Sequence, residues 1–201
     1  MNKGRVYIIS GPSGTGKDTL MKKLFEKLPE LAFSISSITR PIRSDEVPGE
    51  KYNFISHEQF EKMLAEDEFL EHNLYVGNYY GTPKTPVLKC IEKGQDILIE
   101  VDVNGAAQIR EKMPDVVTIF ILPPSLEELK RRLTSRGTDS PEVIEKRLNE
   151  ALREIEGSVD YDFVVVNDKL EKAVDDFINI LSVDKCKTEL NLGLINKILN
   201  K

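Results

Sequence analysis

The run Gly11-Pro12-Ser13-Gly14-Thr15-Gly16-Lys17 fits the spacing G-x-x-x-x-G-K, a pattern that can cradle a polyphosphate. Gly11, Gly14 and Gly16 let the backbone turn its N–H groups inward, and the start of the following helix adds a favourable dipole. Lys17 supplies a mobile positive charge suited to the β- and γ-phosphates of a nucleotide. Asp18 stands where this motif ordinarily carries a Ser or Thr hydroxyl that meets Mg²⁺, and Thr19 is the next hydroxyl along. An acid at that position either binds the metal or weakens the nucleotide by repulsion.

Other clusters carry weaker signals of the same chemistry. Arg40 and Arg43 are three apart, have no carboxylate immediately beside them in sequence, and are followed by Tyr52. Two such guanidiniums can grip a dianionic phosphate bidentately. Tyr79, Tyr80 and Thr82 add hydroxyls in what the glycines at 77 and 81 suggest is a turn. Glu71 follows Phe69-Leu70, and a carboxylate can accept the N1–H and 2-amino donors that guanine presents side by side and adenine lacks. Ser36 or Thr82 could then donate to O6. A site of that kind discriminates strongly, because the wrong base leaves polar groups unpaired. Glu100 and Asp102 close the apolar run Ile97–Ile99, at the strand end where ligands bind in open α/β sheets. They could order a Mg²⁺ hydration shell or hydrogen-bond an acceptor nucleotide. Arg132, Arg136 and Arg147 are either solvated partners of nearby glutamates or charges that neutralise a moving phosphoryl group. His57 and His72 read as surface residues.

The elements that must position these groups follow from periodicity. Short, nearly continuous apolar runs at Arg5–Ser10, Ile97–Val103, Val116–Leu122 and Phe163–Val166 predict strands buried on both faces. Helical patterns at Asp18–Leu28, Ser125–Leu133, Pro141–Glu156 and Leu170–Ile180 alternate with them. Ser125 with Glu128 and Ser56 with Gln59 read as capping boxes, Ser140 as a cap before a proline, and Gly157 as a stop. Strand–helix alternation predicts a doubly wound α/β core. Residues 35–83 interrupt it as a small inserted lobe around one helix, and 125–157 as a mobile lid. The last stretch, 185–201, holds Leu190, Leu192, Leu194, Ile195, Ile198 and Leu199, the pattern of a terminal helix docked on the surface.

Bulk properties narrow the classes. The 201 residues suit one domain with a sizeable core, and 40% hydrophobic with 31% charged residues is ordinary for a globular chain. A net charge of −6 argues against nucleic acid as the partner. Two scattered cysteines, Cys90 and Cys186, suit free thiols in a reducing compartment. No run reaches the roughly 20 apolar residues of a membrane span, so the expectation is a cytoplasmic monomer or homodimer that contacts no membrane.

Together the motifs resemble the guanylate kinase family, which makes GDP from ATP and GMP. The resemblance runs from about residue 4 to 182 and is carried by Gly11–Lys17, Ser34–Arg43, Gly49–Phe54, Gly77–Thr82, Ile99–Gly105 and Arg132–Gly137. It implies a P-loop kinase fold: core 1–34, 84–124 and 158–183, a GMP-binding lobe at 35–83, a helical lid at 125–157, and an extension at 184–201. By that resemblance ATP, Mg²⁺ and GMP are the ligands, with Gly11 to Thr19 and Asn167 on ATP and Asn167 near the adenine. Arg40, Arg43, Tyr52 and Tyr80 would hold the GMP phosphate, and Ser36, Glu71, Thr82 and Asp102 would read guanine. Lys17, Arg43, Arg132, Arg136 and Arg147 would be catalytic, and Asp18, Thr19 and Glu100 would approach the metal. Glu100 stands where the family often has aspartate. Two rival expectations are a guanylate-kinase-like binding module without activity and a P-loop kinase for another small phosphorylated substrate.

Overall fold

The computed structural model describes residues 3–44, 46–135 and 140–199. In chain order the elements are β1 (Val6–Ser10), α1 (Lys17–Lys27), β2 (Ala32–Phe33), β3 (Ser36–Ile38), β4 (Tyr52–Phe54), α2 (His57–Ala65), β5 (Phe69–Tyr75), β6 (Asn78–Pro83), α3 (Lys84–Glu92), β7 (Ile97–Glu100), α4 (Val103–Lys112), β8 (Val117–Leu122), α5 (Leu126–Ser135), α6 (Pro141–Glu156), β9 (Phe163–Val166), α7 (Leu170–Lys185) and α8 (Leu192–Ile198).

Five strands form a parallel sheet in the order β2-β7-β1-β8-β9. Its strands read as continuous apolar runs because helices cover both faces. Tyr7 and Ile9 of β1 point to the layer containing Leu20, Met21 and Leu24 of α1 and Val174, Phe177 and Leu181 of α7. Val6 and Ile8 point the other way, onto Val87 of α3 and Ala106 and Ile109 of α4. Alternation of side chains along a strand sends neighbouring residues into opposite layers. The register pairs Ile9 with Glu100 and Leu122 with Val166, which aligns the carboxyl ends of β1, β7, β8 and β9 along one edge.

The lobe is a four-stranded mixed sheet, β4-β3-β6-β5, covered by α2. Phe60 of α2, fully buried, stacks on Phe69 and Tyr79 with centroids 4.3 and 4.9 Å apart. The expected capping box at Ser56 and Gln59 is formed in both directions. The helices α5 and α6 share a small core of Leu129, Leu133, Ile144 and Ala151, and α6 spans the predicted Pro141–Glu156, ending at Gly157.

Three local expectations differ from the structure. The run beginning at Ile97 leaves the sheet at Glu100, because Asp102 turns to cap α4: its Oδ1 accepts from the Gly105 amide at 2.7 Å. Residues 78–83 are a strand, not a turn; the turn is made by Val76 and Gly77, both at positive φ. Helices α3 and α4 were not anticipated, since their apolar residues are few and interrupted by glycine, proline and charge.

Candidate active site

The phosphate loop leaves the carboxyl end of β1 and enters α1 through Gly16, whose φ of 88° is left-handed. Close contacts explain why the loop is glycine-rich here. A Cβ at Gly14 would lie 2.8 Å from Leu133 Cδ2, and one at Gly16 would lie 2.8 Å from Asn167 Nδ2. Thr15 is fully buried and its hydroxyl donates to the Pro12 carbonyl at 2.9 Å. Ser13 is exposed in the middle of the loop. Lys17 Nζ donates to the carbonyls of Gly11 and Pro12 at 2.5 and 3.2 Å, which holds the ammonium over the loop. Burial pushes the Lys17 pKa down, against the pull of Glu100, Glu154 and Asp18.

Asn167, at the end of β9, braces this loop by donating from Nδ2 to the Thr15 carbonyl at 2.7 Å. Arg132 of α5 joins the same brace: its guanidinium donates to Thr15 O at 3.2 Å, Asn167 O at 3.0 Å and Glu128 Oε1 at 2.7 Å. Arg132 therefore pairs with a glutamate one turn away, as one reading expected, and also braces the loop. Arg147 lies half-buried on α6. Arg136 lies outside the described residues.

Asp18, in the first turn of α1, is largely exposed, with Thr19 exposed beside it. Lys51, which precedes β4 in the lobe, places Nζ 2.6 Å from Asp18 Oδ1 and 2.8 Å from Glu100 Oε2. Asp18 and Glu100, expected to approach a metal, converge on this ammonium. The lysine itself had escaped sequence reading, because nothing in the run Gly49-Glu50-Lys51-Tyr52 marks it out.

Across the cleft, the lobe presents the predicted nucleotide-reading groups. Glu71 on β5 is 5% exposed and lies opposite Thr82 of β6 in register. Thr82 Oγ1 donates to Glu71 Oε1 at 2.6 Å. Burial pushes the Glu71 carboxyl up to about 7, opposed by the Thr82 hydrogen bond and assisted by the nearby charge of Asp102. The carboxylate is thus a buried group rather than a surface one. Gly105 at the start of α4 permits the approach of lobe and core, since a Cβ there would lie 3.0 Å from Glu71 Oε2. Asp102 sits next to it, exposed, with Oδ2 accepting from Asn73 Nδ2 at 3.0 Å while Oδ1 caps α4. Ser36 opens β3 opposite Tyr52 of β4.

Arg40 lies 5.4 Å from the Tyr52 ring centroid, with the Tyr80 hydroxyl as a further hydrogen-bond partner. It does have a carboxylate beside it, supplied from six residues on. Glu46 accepts from both Arg40 terminal nitrogens, at 2.7 and 2.5 Å, and from the Arg43 amide at 2.9 Å. Those contacts hold the Glu46 carboxyl well below the usual range, at about 2. The Arg40 fork thus grips a planar carboxylate bidentately. The Arg43 side chain is exposed. On the side of Lys17, Glu154 of α6 is a half-buried carboxylate whose pKa is raised by burial against the pull of Lys17.

A glycine loop between a buried strand and its helix, at the carboxyl edge of a parallel sheet and under a pair of lid helices, is the architecture of a P-loop kinase. The family profile described as guanylate kinase matches residues 3–184. A guanylate kinase of Neisseria gonorrhoeae is 48% identical over 197 residues, covering 98% of this chain and 96% of that protein. One from Thermus thermophilus is 49% identical over 183 residues, covering 91% and 83%. The crystal structure of guanylate kinase from Anaplasma phagocytophilum superposes with a TM-score of 0.79 at 33% identity, covering 98% of this chain and 95% of that one. The chain belongs to the guanylate kinase family.

Proposed function

We propose that the protein transfers the γ-phosphoryl group of ATP to GMP, giving ADP and GDP. The observation that carries this reading is the Glu71–Thr82 pair, a buried carboxylate and hydroxyl 2.6 Å apart. It lies in a lobe that faces the phosphate loop across the edge of the sheet. Its ionised carboxylate accepts the N1–H and 2-amino donors of guanine, and a hydroxyl from Ser36 or Thr82 meets O6. Asp102 stands beside Glu71 as the further acceptor. Arg40, Arg43, Tyr52 and Tyr80 hold the GMP phosphate, which displaces or joins Glu46 in the arginine fork.

On the donor side, backbone amides of Gly11 to Gly16 cradle the ATP phosphates and Lys17 follows them. Asn167 and Arg132 keep that loop in shape from below. The GMP phosphate oxygen is already anionic, so no strong general base is required for its in-line attack on the γ-phosphorus. Catalysis then rests on positioning and charge neutralisation by Lys17, Arg43, Arg132, Arg136 and Arg147. Mg²⁺ fits the oxygen donors here, because Asp18 and Glu100 already hold one cation, the Lys51 ammonium, between them. Asp18, Thr19 and Glu100 would hold the metal, directly or through water, together with phosphate oxygens. The ion supplies neutralisation of phosphate charge.

The direct test is a coupled assay of ADP formation from ATP and Mg²⁺ with GMP, AMP, UMP or CMP. Turnover with GMP about 100-fold or more above the others is expected. Equal turnover with AMP would remove Glu71 and Thr82 from base recognition.

A further inference from the structure

The phosphate loop of this chain carries a negative charge where the motif ordinarily has a hydroxyl. Asp18 sits one residue past the phosphate-binding lysine, and Glu100 ends β7, the strand paired with β1 in register Ile9 to Glu100. Two carboxylates beside a polyphosphate site oppose the ligand that the glycine loop is built to receive. Beside the neighbouring Lys17, an ammonium from a different part of the chain meets their charges. Lys51 Nζ lies 2.6 Å from Asp18 Oδ1 and 2.8 Å from Glu100 Oε2, and 5.8 Å from the centroid of Tyr52. Its backbone carbonyl accepts from the Ser36 amide at 3.3 Å, which fixes it to the edge of the lobe sheet.

We propose that Lys51 is the counter-charge of an acidic phosphate loop: it neutralises Asp18 and Glu100 so that the donor polyphosphate can enter. This rests on the reading of Gly11–Lys17 as the donor site. Lys51 is a positioning residue, acting on the polyphosphate through the two carboxylates. Aspartate at position 18 is tolerable because lysine stands at 51, and the two side chains form one functional unit drawn from core and lobe.

The test is titration of ADP in the presence of EDTA, by calorimetry, so that no metal contributes. In the parent protein ADP binds; its failure to bind would overturn the donor-site reading and this proposal with it. With binding established, K51M should weaken ADP about 5-fold or more at low salt, and added salt should shrink that loss. The double variant D18S/K51M should bind ADP more tightly than K51M alone, recovering part of the loss, because one of the two repelling carboxylates has gone while Glu100 remains. D18S alone should bind metal-free ADP at least as tightly as the parent, and K51R should behave like the parent. A lysine that only fastened the lobe would give the opposite pattern: D18S would reproduce the loss and the double variant would not recover. That pattern, or a K51M that binds ADP like the parent, overturns the counter-charge role. Circular dichroism melts of each variant separate lost binding from lost folding.

Discussion

At the scale of single residues, Glu71 concentrates the conflict between folding and function. Its carboxyl has a pKa near 7 because burial disfavours the charge. The folded value lies above the ordinary one of 4.5, so the folded state binds more protons between the two. Stability from this group is therefore fully present below about 4.5 and is lost as pH rises through about 7. Guanine needs the ionised acceptor, so the KM for GMP should rise as pH falls below about 7, while the KM for ATP should not follow. Glu71→Gln keeps the shape and the Thr82 hydrogen bond but removes the charge. It should cut kcat/KM for GMP by about 100-fold or more and flatten the pH profile. It should also raise the melting temperature above neutral pH, since up to about 3 kcal/mol of desolvation is relieved. Loss of activity together with loss of stability would show instead that Glu71 is a structural carboxylate.

At the scale of elements, α5 is where sequence and structure inform each other most. Leu129 and Leu133 are fully buried, form the small core shared with α6, and also lie against the Cα of Gly14. Arg132, between them in sequence, reaches the Thr15 and Asn167 carbonyls. This helix is thus fastened to the phosphate loop by apolar and polar contacts together. Arg132→Met keeps the apolar stem and removes the donors. If Arg132 also neutralises the transferring phosphoryl group, kcat should fall by about 100-fold or more with only a small change in melting temperature. A fall in melting temperature with kcat preserved would assign it to bracing alone. The boundaries of α6 and the capping box at Ser56 were legible because proline, serine and glycine act locally. The box expected at Ser125 is half formed, its Glu128 carboxylate being taken by Arg131 and Arg132. The helix α4 was not legible, because its start is set by Asp102 bonding the Gly105 amide and by Gly105 making room for Glu71, a contact between distant segments. Glu71, Thr82 and Arg40 could be picked from sequence by their chemistry. Lys51 could not, since its partners are recognised only once β4, β7 and α1 meet, nor could Glu46, which the loop between β3 and β4 folds back onto Arg40.

At the scale of the whole molecule, the parallel sheet separates chemistry from anchoring. The carboxyl ends of the strands carry the site. The opposite edge, where β1 begins, carries a buried charge network that closes the two ends of the fold. Asp184, near the end of α7, has a side chain with no exposure. It accepts from Arg5 Nε at 2.8 Å, the Tyr7 hydroxyl at 3.2 Å and Lys187 Nζ at 2.9 Å. The sequence reading ended the last helix at Ile180 and began the extension at 184, yet α7 continues to Lys185 and its penultimate residue is fully enclosed. Burial alone would raise the Asp184 carboxyl, but Arg5 and Lys187 outweigh it and hold the pKa below the ordinary 3.8. Stability from this group is present above that ordinary value and disappears as pH falls through the depressed one. Asp184→Ala leaves the Arg5 guanidinium and the Tyr7 hydroxyl without their partner, and should cost about 3–5 kcal/mol in chemical denaturation at neutral pH. Asp184→Asn, which keeps an acceptor, should cost less. Because β1 spans five residues at about 3.3 Å each, the network is about 16 Å from the phosphate loop. Turnover per folded molecule with ATP and GMP should therefore stay near that of the parent in both variants. A stability loss below about 1 kcal/mol would place Asp184 among ordinary surface pairs. A drop in turnover at full folding would show that the two edges of the sheet are mechanically coupled.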